Sequence, residues 1–175
     1  MTYSLDLFND LNVYYNWETL YVGRLLGLLE PKEVTRYAID FLEKHPDINN
    51  KYVLELAWDL PEEEMNHQLI EVLETLSNGA FGEESERWIV EKRKWRYCIL
   101  KTVAVDSRYS SSLFEKIEDV FSIFGCPDDM YTLIRDVSNV RYLPTSEKGK
   151  ETEEDKIIQL LKDFLTIEEQ FLFSN

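Results

Sequence analysis

Pro31-Lys32-Glu33-Val34-Thr35-Arg36-Tyr37-Ala38-Ile39-Asp40-Phe41-Leu42-Glu43-Lys44-His45 reads as one helix from end to end. Pro31 suits the first helical position, where the missing N–H has no intrahelical acceptor to lose. Glu33 places a negative charge in the first turn, at the positive end of the helix dipole. Val34, Tyr37, Ala38, Phe41 and Leu42 recur at intervals of three and four, so they share one face. His45 precedes Pro46, whose ring disfavours helical geometry in the residue before it, and the helix stops there.

The same spacing recurs on both sides. Upstream, Leu5, Phe8, Leu11 and Tyr15 form a first stripe. Asn16 is placed to cap a helix that begins at Trp17 and carries Leu20, Leu25 and Leu28. Gly23 and Gly27 lie four apart within it; they either permit close helix contact or, at Gly27, loosen the helix end. Downstream, Asp47 begins a segment in which Ile48, Tyr52, Val53 and Leu56 fit a short helix. Pro61 opens another, with Met65, Leu69, Val72, Leu73 and Leu76 on one side and Asn78-Gly79 as its stop.

A longer helix is expected over 85–105, with Trp88, Trp95, Cys98, Ile99 and Thr102 sharing part of its surface; Val103-Ala104-Val105 is alternatively extended. Ser110, Ser111 and Ser112 supply a cap for 113–124, and Pro127 restarts a short helix after the Gly125-Cys126 break. Residues 138–151 read as a loop of Ser, Asn, Pro, Thr, Gly and alternating charge. Thr152 with Asp155 resembles a capping box for a last helix carrying Ile157, Leu160, Leu161, Phe164 and Leu165. The fold class is therefore all-α: eight or nine helices, partly in antiparallel hairpins, forming a single domain over 1–175. No sequence period points to a solenoid.

Charge is the dominant compositional feature. The chain holds 34 Asp and Glu against 19 Lys and Arg, net −15 over 175 residues, yet 44% of it is hydrophobic and 13% aromatic. So acidic a chain escapes disorder because its apolar residues suffice for a core. Residues 1–80 alone carry 15 acids and 5 bases. Such a field repels nucleic acid and anionic lipid and attracts basic protein. Cys98 and Cys126 are too few for a disulfide framework and read as reduced thiols. No apolar run approaches the ~20 residues that span a bilayer, and no signal peptide is visible, so the expected location is cytoplasmic.

Several segments together resemble a known family. They are Asn16-Trp17-Glu18-Thr19-Leu20-Tyr21-Val22-Gly23, then Leu29-Glu30-Pro31-Lys32-Glu33-Val34 with Tyr37-Ala38, and Leu54-Glu55-Leu56-Ala57. Trp95-Arg96-Tyr97 with Leu100 follows, and then Ile117-Glu118-Asp119-Val120-Phe121 before Gly125-Cys126-Pro127-Asp128-Asp129-Met130. Their order and spacing over most of residues 8–143 resemble a bacterial family labelled only as domain of unknown function 2247. The family pattern favours an aromatic residue where this chain has Cys126, and residues 135–142 are a longer stretch than in that pattern. The resemblance brings no catalytic residues. Acidic helical bacterial proteins of this size are recurrently immunity partners encoded beside secreted toxins, and immunity is the function the resemblance suggests.

Candidate chemistry is sparse. Glu63, His67 and Glu71 are spaced at four along one helix ridge, with Glu74 close by. One histidine is a thin basis for a metal site, so no metal or cofactor is expected; the ladder reads as a solvated face or a partner contact. Asp59, Glu62, Glu63 and Glu64 surround a helix start, where the dipole favours carboxylates, whereas Glu71 and Glu74 need another reason. Lys92, Arg93, Lys94 and Arg96 lie among Trp88 and Trp95, a pattern also found at nucleic-acid surfaces; here they more simply neutralise neighbouring acids. No nucleophile motif surrounds the serines, and no glycine-rich phosphate loop exists.

The expected function is non-enzymatic: an immunity protein that neutralises a basic toxin domain. Asp59, Glu63, Glu64, His67, Glu71 and Glu74 are the expected charged contacts. Exposed Tyr14, Tyr15 and Trp17 are the expected aromatic contacts. A helical scaffold or adaptor for another basic protein is the second reading, and an enzyme with unrecognised carboxylate chemistry the third.

Overall fold

The computed structural model describes residues 2–58, 60–76, 81–83, 85–106, 113–142 and 152–173. Among them run nine α-helices and one 3-10 turn: α1 (Asp6–Asp10), α2 (Trp17–Leu25), α3 (Pro31–Lys44), α4 (Lys51–Leu56), α5 (Glu62–Leu76), α6 (Glu86–Asp106), α7 (Leu113–Ile123), the turn (Asp128–Met130), α8 (Tyr131–Tyr142) and α9 (Glu153–Phe173). The fold is all-α. Tertiary contacts divide the chain into two compact units, Met1–Trp95 and Arg96–Asn175, with the division inside α6.

In the first unit α2 packs on α5, α3 on α4 and α4 on α5. Leu20, Leu29, Val34, Ala38, Val53, Leu56, Leu69 and Trp95 have no exposed surface. Asn16 caps α2 as its sequence implies: its side chain accepts from Glu18 and Thr19 backbone N–H, and the Thr19 hydroxyl accepts from the Asn16 N–H. The Trp95 indole donates to the Thr19 carbonyl at 2.8 Å. That seat exists because position 23 is glycine: a Cβ there would stand 2.3 Å from the Trp95 ring. Gly27 has another task. At φ +66° it turns the chain after α2, where Leu28 and Leu29 return hydrogen bonds to the Gly23 carbonyl. The amino-terminal residues dock through a single parallel bridge between Tyr3 and Leu29. Buried Glu33 fixes them by accepting the Leu5 N–H at 3.0 Å and pairing with Arg36 at 2.9 Å.

In the second unit α8 packs on α7 and α9, and α7 also packs on α9. Cys98, Leu100, Ile117, Met130, Val137 and Leu161 are fully buried. Arg96, at 2% exposure, forms a bidentate pair with Asp129 at 2.6 and 2.7 Å and meets buried Glu168 at 2.9 Å. Val103 and Ala104 continue α6, so the extended alternative is not realised.

Residues 138–142 are helical, contrary to the loop expected over 138–151. Leu133 and Val137 bury one face of α8, and Arg141 lies over the Phe114 ring at 4.7 Å. Tertiary packing there outweighs the weak helix propensity of Ser138 and Asn139. The rest of that stretch, 143–151, lies outside the described residues, as do the serine cap at 110–112 and the Asn78-Gly79 stop.

Candidate functional site: an aromatic cleft in the first unit

The cleft grows from two local features. α3 presents Tyr37 and Phe41 four residues apart, and His45, the residue that caps its carboxy-terminal end, follows after another four, so the three rings line up along one edge. Opposite, α1 ends in a tight reversal. Asn12 sits at φ 53°, a left-handed geometry that asparagine tolerates better than most residues. The Asn12 N–H donates to the Asn9 carbonyl and the Val13 N–H to the Phe8 carbonyl. The turn buries Val13, leaves Tyr14 74% exposed, and brings the Tyr15 ring within 5.6 Å of Phe8 and 5.7 Å of Tyr37.

The result is a run of seven touching rings. Trp95 meets Phe8 edge-on at 4.7 Å, and Phe8, Tyr15 and Tyr37 follow. Trp17 is set edge-on to both Tyr37 (4.7 Å) and Phe41 (5.3 Å), and Phe41 meets His45 at 4.6 Å. Over this floor opens a cleft of about 520 Å³, whose polar lining comes from Asn9, Asn12, Asp40, Lys44, His45 and the tyrosines. Burial pushes the Tyr37 phenol above its ordinary pKa, and the nearby Tyr14 and Tyr15 phenols add to the effect. The phenol is therefore neutral at any physiological pH. Among the described residues, neither these three hydroxyls nor the Asp40 carboxylate has a hydrogen-bond or ion-pair partner. Lys94 lies 5.7 Å from the Tyr14 ring centroid and is ion-paired with Glu91 at 2.7 Å.

The residues singled out from sequence separate into three groups. Tyr14 and Tyr15 line the cleft. Trp17 does not face outward as expected. It is 6% exposed, because its ring packs edge-on against both Tyr37 and Phe41. On α5, Glu63, Glu64, His67 and Glu74 are exposed and Glu71 is half-buried. His67 Nε2 lies 3.9 Å from Glu71, and the Tyr52 hydroxyl hydrogen-bonds the Glu71 carboxylate, which raises the phenol's pKa. Asp59 lies outside the described residues. Among the described residues no group of three or more His, Cys, Asp or Glu is arranged to hold a metal ion, and no helix is long and apolar enough to cross a membrane. In the basic cluster, Trp88, Trp95 and Arg96 are buried.

Sequence reasoning did not assemble the cleft. Its signal was the 37-41-45 aromatic spacing beside the Asn12-Val13-Tyr14-Tyr15 segment, two features 25 residues apart that only the folded chain joins.

A family model described as an uncharacterized protein conserved in bacteria, DUF2247, matches residues 5–169. No curated protein and no solved structure matches the chain.

Proposed function

We propose that this chain, which belongs to the bacterial family DUF2247, is a binding protein that engages a basic protein partner through its first unit. The supporting observation is how that unit distributes charge. Residues 1–95 hold 19 acids and 9 bases. Arg24, Lys32, Arg36, Arg87 and Lys94 are already tied to Glu62, Glu30, Asp6 and Glu33, Glu18 and Glu91. Asp10, Asp40, Glu43, Glu63, Glu64 and Glu74 stand exposed and, among the described residues, without an ion pair. Internal pairing thus engages at least five of the nine cations, and the acids outnumber the bases by ten, so surplus negative charge stands at the surface. A partner with a basic face gains by neutralising it, and the field speeds encounter.

The role that best fits is immunity. Many toxins that attack nucleic acid are basic because their substrate is anionic, and an acidic protein that covers the same surface competes with that substrate. The test is binding to the product of the adjacent gene at low and near-physiological salt, where screening lengths are about 30 and 8 Å. Association should slow as salt rises. Glu63, Glu64 and Glu74, replaced together by Lys, should slow it further and flatten its salt slope, with dissociation changed less. Glu71 is left intact because it anchors Tyr52. Absence of binding to that product removes the immunity role.

A further inference from the structure

We infer that the aromatic cleft receives an arginine side chain of the partner. This deepens the proposed function and rests on it for the partner's basic character.

A guanidinium is planar, weakly hydrated and always charged, and it stacks on aromatic faces while its edge takes a carboxylate. The cleft supplies both requirements. Tyr15, Tyr37 and Phe41 form an aromatic wall, and Asp40 adds a carboxylate with no ion pair of its own among the described residues. The phenol oxygens of Tyr14, Tyr15 and Tyr37 are open acceptors, and the Tyr37 phenol stays neutral, so it does not compete with Asp40 as an anion. The phenols and Asp40 together match the several N–H donors of one guanidinium.

Other occupants fit less well. Lys44 and Asp40 cancel within the lining, so the sign of the site is set by its surroundings. Lys94, over the Tyr14 ring, is neutralised by Glu91, whereas Asp10, next to Asn9, and Glu43, next to Lys44, are exposed and, among the described residues, without ion pairs, so the flanking charge is net negative and opposes an anion. A neutral sugar would use the rings and amides but gain nothing from that field. A lysine would gain from the field, but its compact, strongly hydrated ammonium uses the flat rings poorly.

The test uses the full chain and three probes: acetyl-Gly-Arg-Gly-amide, the same tripeptide with citrulline, and the same with lysine. Citrulline keeps the shape of arginine and removes its charge. In NMR titrations the arginine peptide should shift the ring resonances of Tyr14, Tyr15 and Tyr37. Citrulline should bind about tenfold more weakly and lysine severalfold more weakly. Asp40→Asn should weaken the arginine peptide about fivefold and leave citrulline unchanged. Tyr14→Ala should weaken both charged peptides. Both substituted positions are exposed, and an unchanged helical spectrum controls for folding. Equal affinity for arginine and citrulline, shifts that fall outside the cleft, or indifference to Asp40→Asn would overturn the inference. The two proposals fail separately. Peptide binding in the cleft without binding of any basic protein keeps the cleft chemistry and removes the function. Undiminished binding of a basic protein by the Asp40→Asn and Tyr14→Ala variants keeps the function and removes the cleft.

Discussion

Gly23 carries the strictest steric demand of any glycine described. A single added carbon would overlap the buried Trp95 indole, itself held by its bond to the Thr19 carbonyl. Gly23→Ala should therefore destabilise by about 1–3 kcal/mol in urea unfolding, the usual cost of overpacking. Gly27→Ala meets no neighbouring atom and should cost about 1 kcal/mol through its left-handed backbone alone. From sequence Gly27 could be read as a helix end, but the close contact at Gly23 could not be assigned, because it is made by an indole 72 residues further along the chain. Glu169 gives a pH prediction. Lys101, at 2.5 Å, and the Tyr97 hydroxyl, at 2.7 Å, hold its carboxyl below the ordinary value of 4.5. A depressed carboxylate adds stability above its unfolded pKa and loses it as pH falls through the folded one. The side chain is 39% exposed, so solvent screens the pair and the gain is under about 1 kcal/mol. Glu169→Gln should be slightly less stable at neutral pH, and the difference should close below about pH 4.5. Cys126 is exposed and Cys98 buried. One thiol should react quickly with a thiol reagent in the native protein, the second only on unfolding, and reductant should leave the melting temperature unchanged.

At the scale of elements, two caps test how local sequence sets helix ends. Asn16 starts α2 with a reciprocal pair of hydrogen bonds, and Thr152 and Asp155 do the same for α9 through bonds of 2.7–3.1 Å. Asn16→Ala and Thr152→Ala should each cost about 1 kcal/mol. The loss at Asn16 should be the larger, because Thr19, its partner, also bonds buried Glu91 at 2.6 Å. These starts were legible because capping is written within four residues. The Pro31 start and the His45 stop were legible for the same reason. The end of α8 was not. Ser138 and Asn139 are weak helix formers, and their helical state depends on Val137 packing inward and Arg141 reaching Phe114, contacts that no window of sequence contains. The short stop between α3 and α4 was half legible: a helix was expected from Asp47, but Asn50 provides the cap, bonding the N–H groups of Tyr52 and Val53.

At the scale of the whole molecule, charge was readable from composition and the cleft was not. Counting acids needs no geometry. Bringing Tyr15 against Tyr37 needs the Asn12 turn, the α3 register and the buried Phe8–Trp95 contact together. Net −15 should also shape bulk behaviour. Raising salt from about 0.01 to 0.15 M screens self-repulsion, so the melting temperature should rise while the far-UV spectrum stays helical. The seven-ring run gives the protein an optical property as well. Excitation absorbed by Tyr37 can pass to Trp17, whose ring centroid is 4.7 Å away, and the indole then emits in place of the phenol. At so short a range the transfer is complete and the phenol stays dark, so a charged side chain settling on Tyr37 should register instead as a shift in the indole emission of Trp17 beside it, with no dye attached.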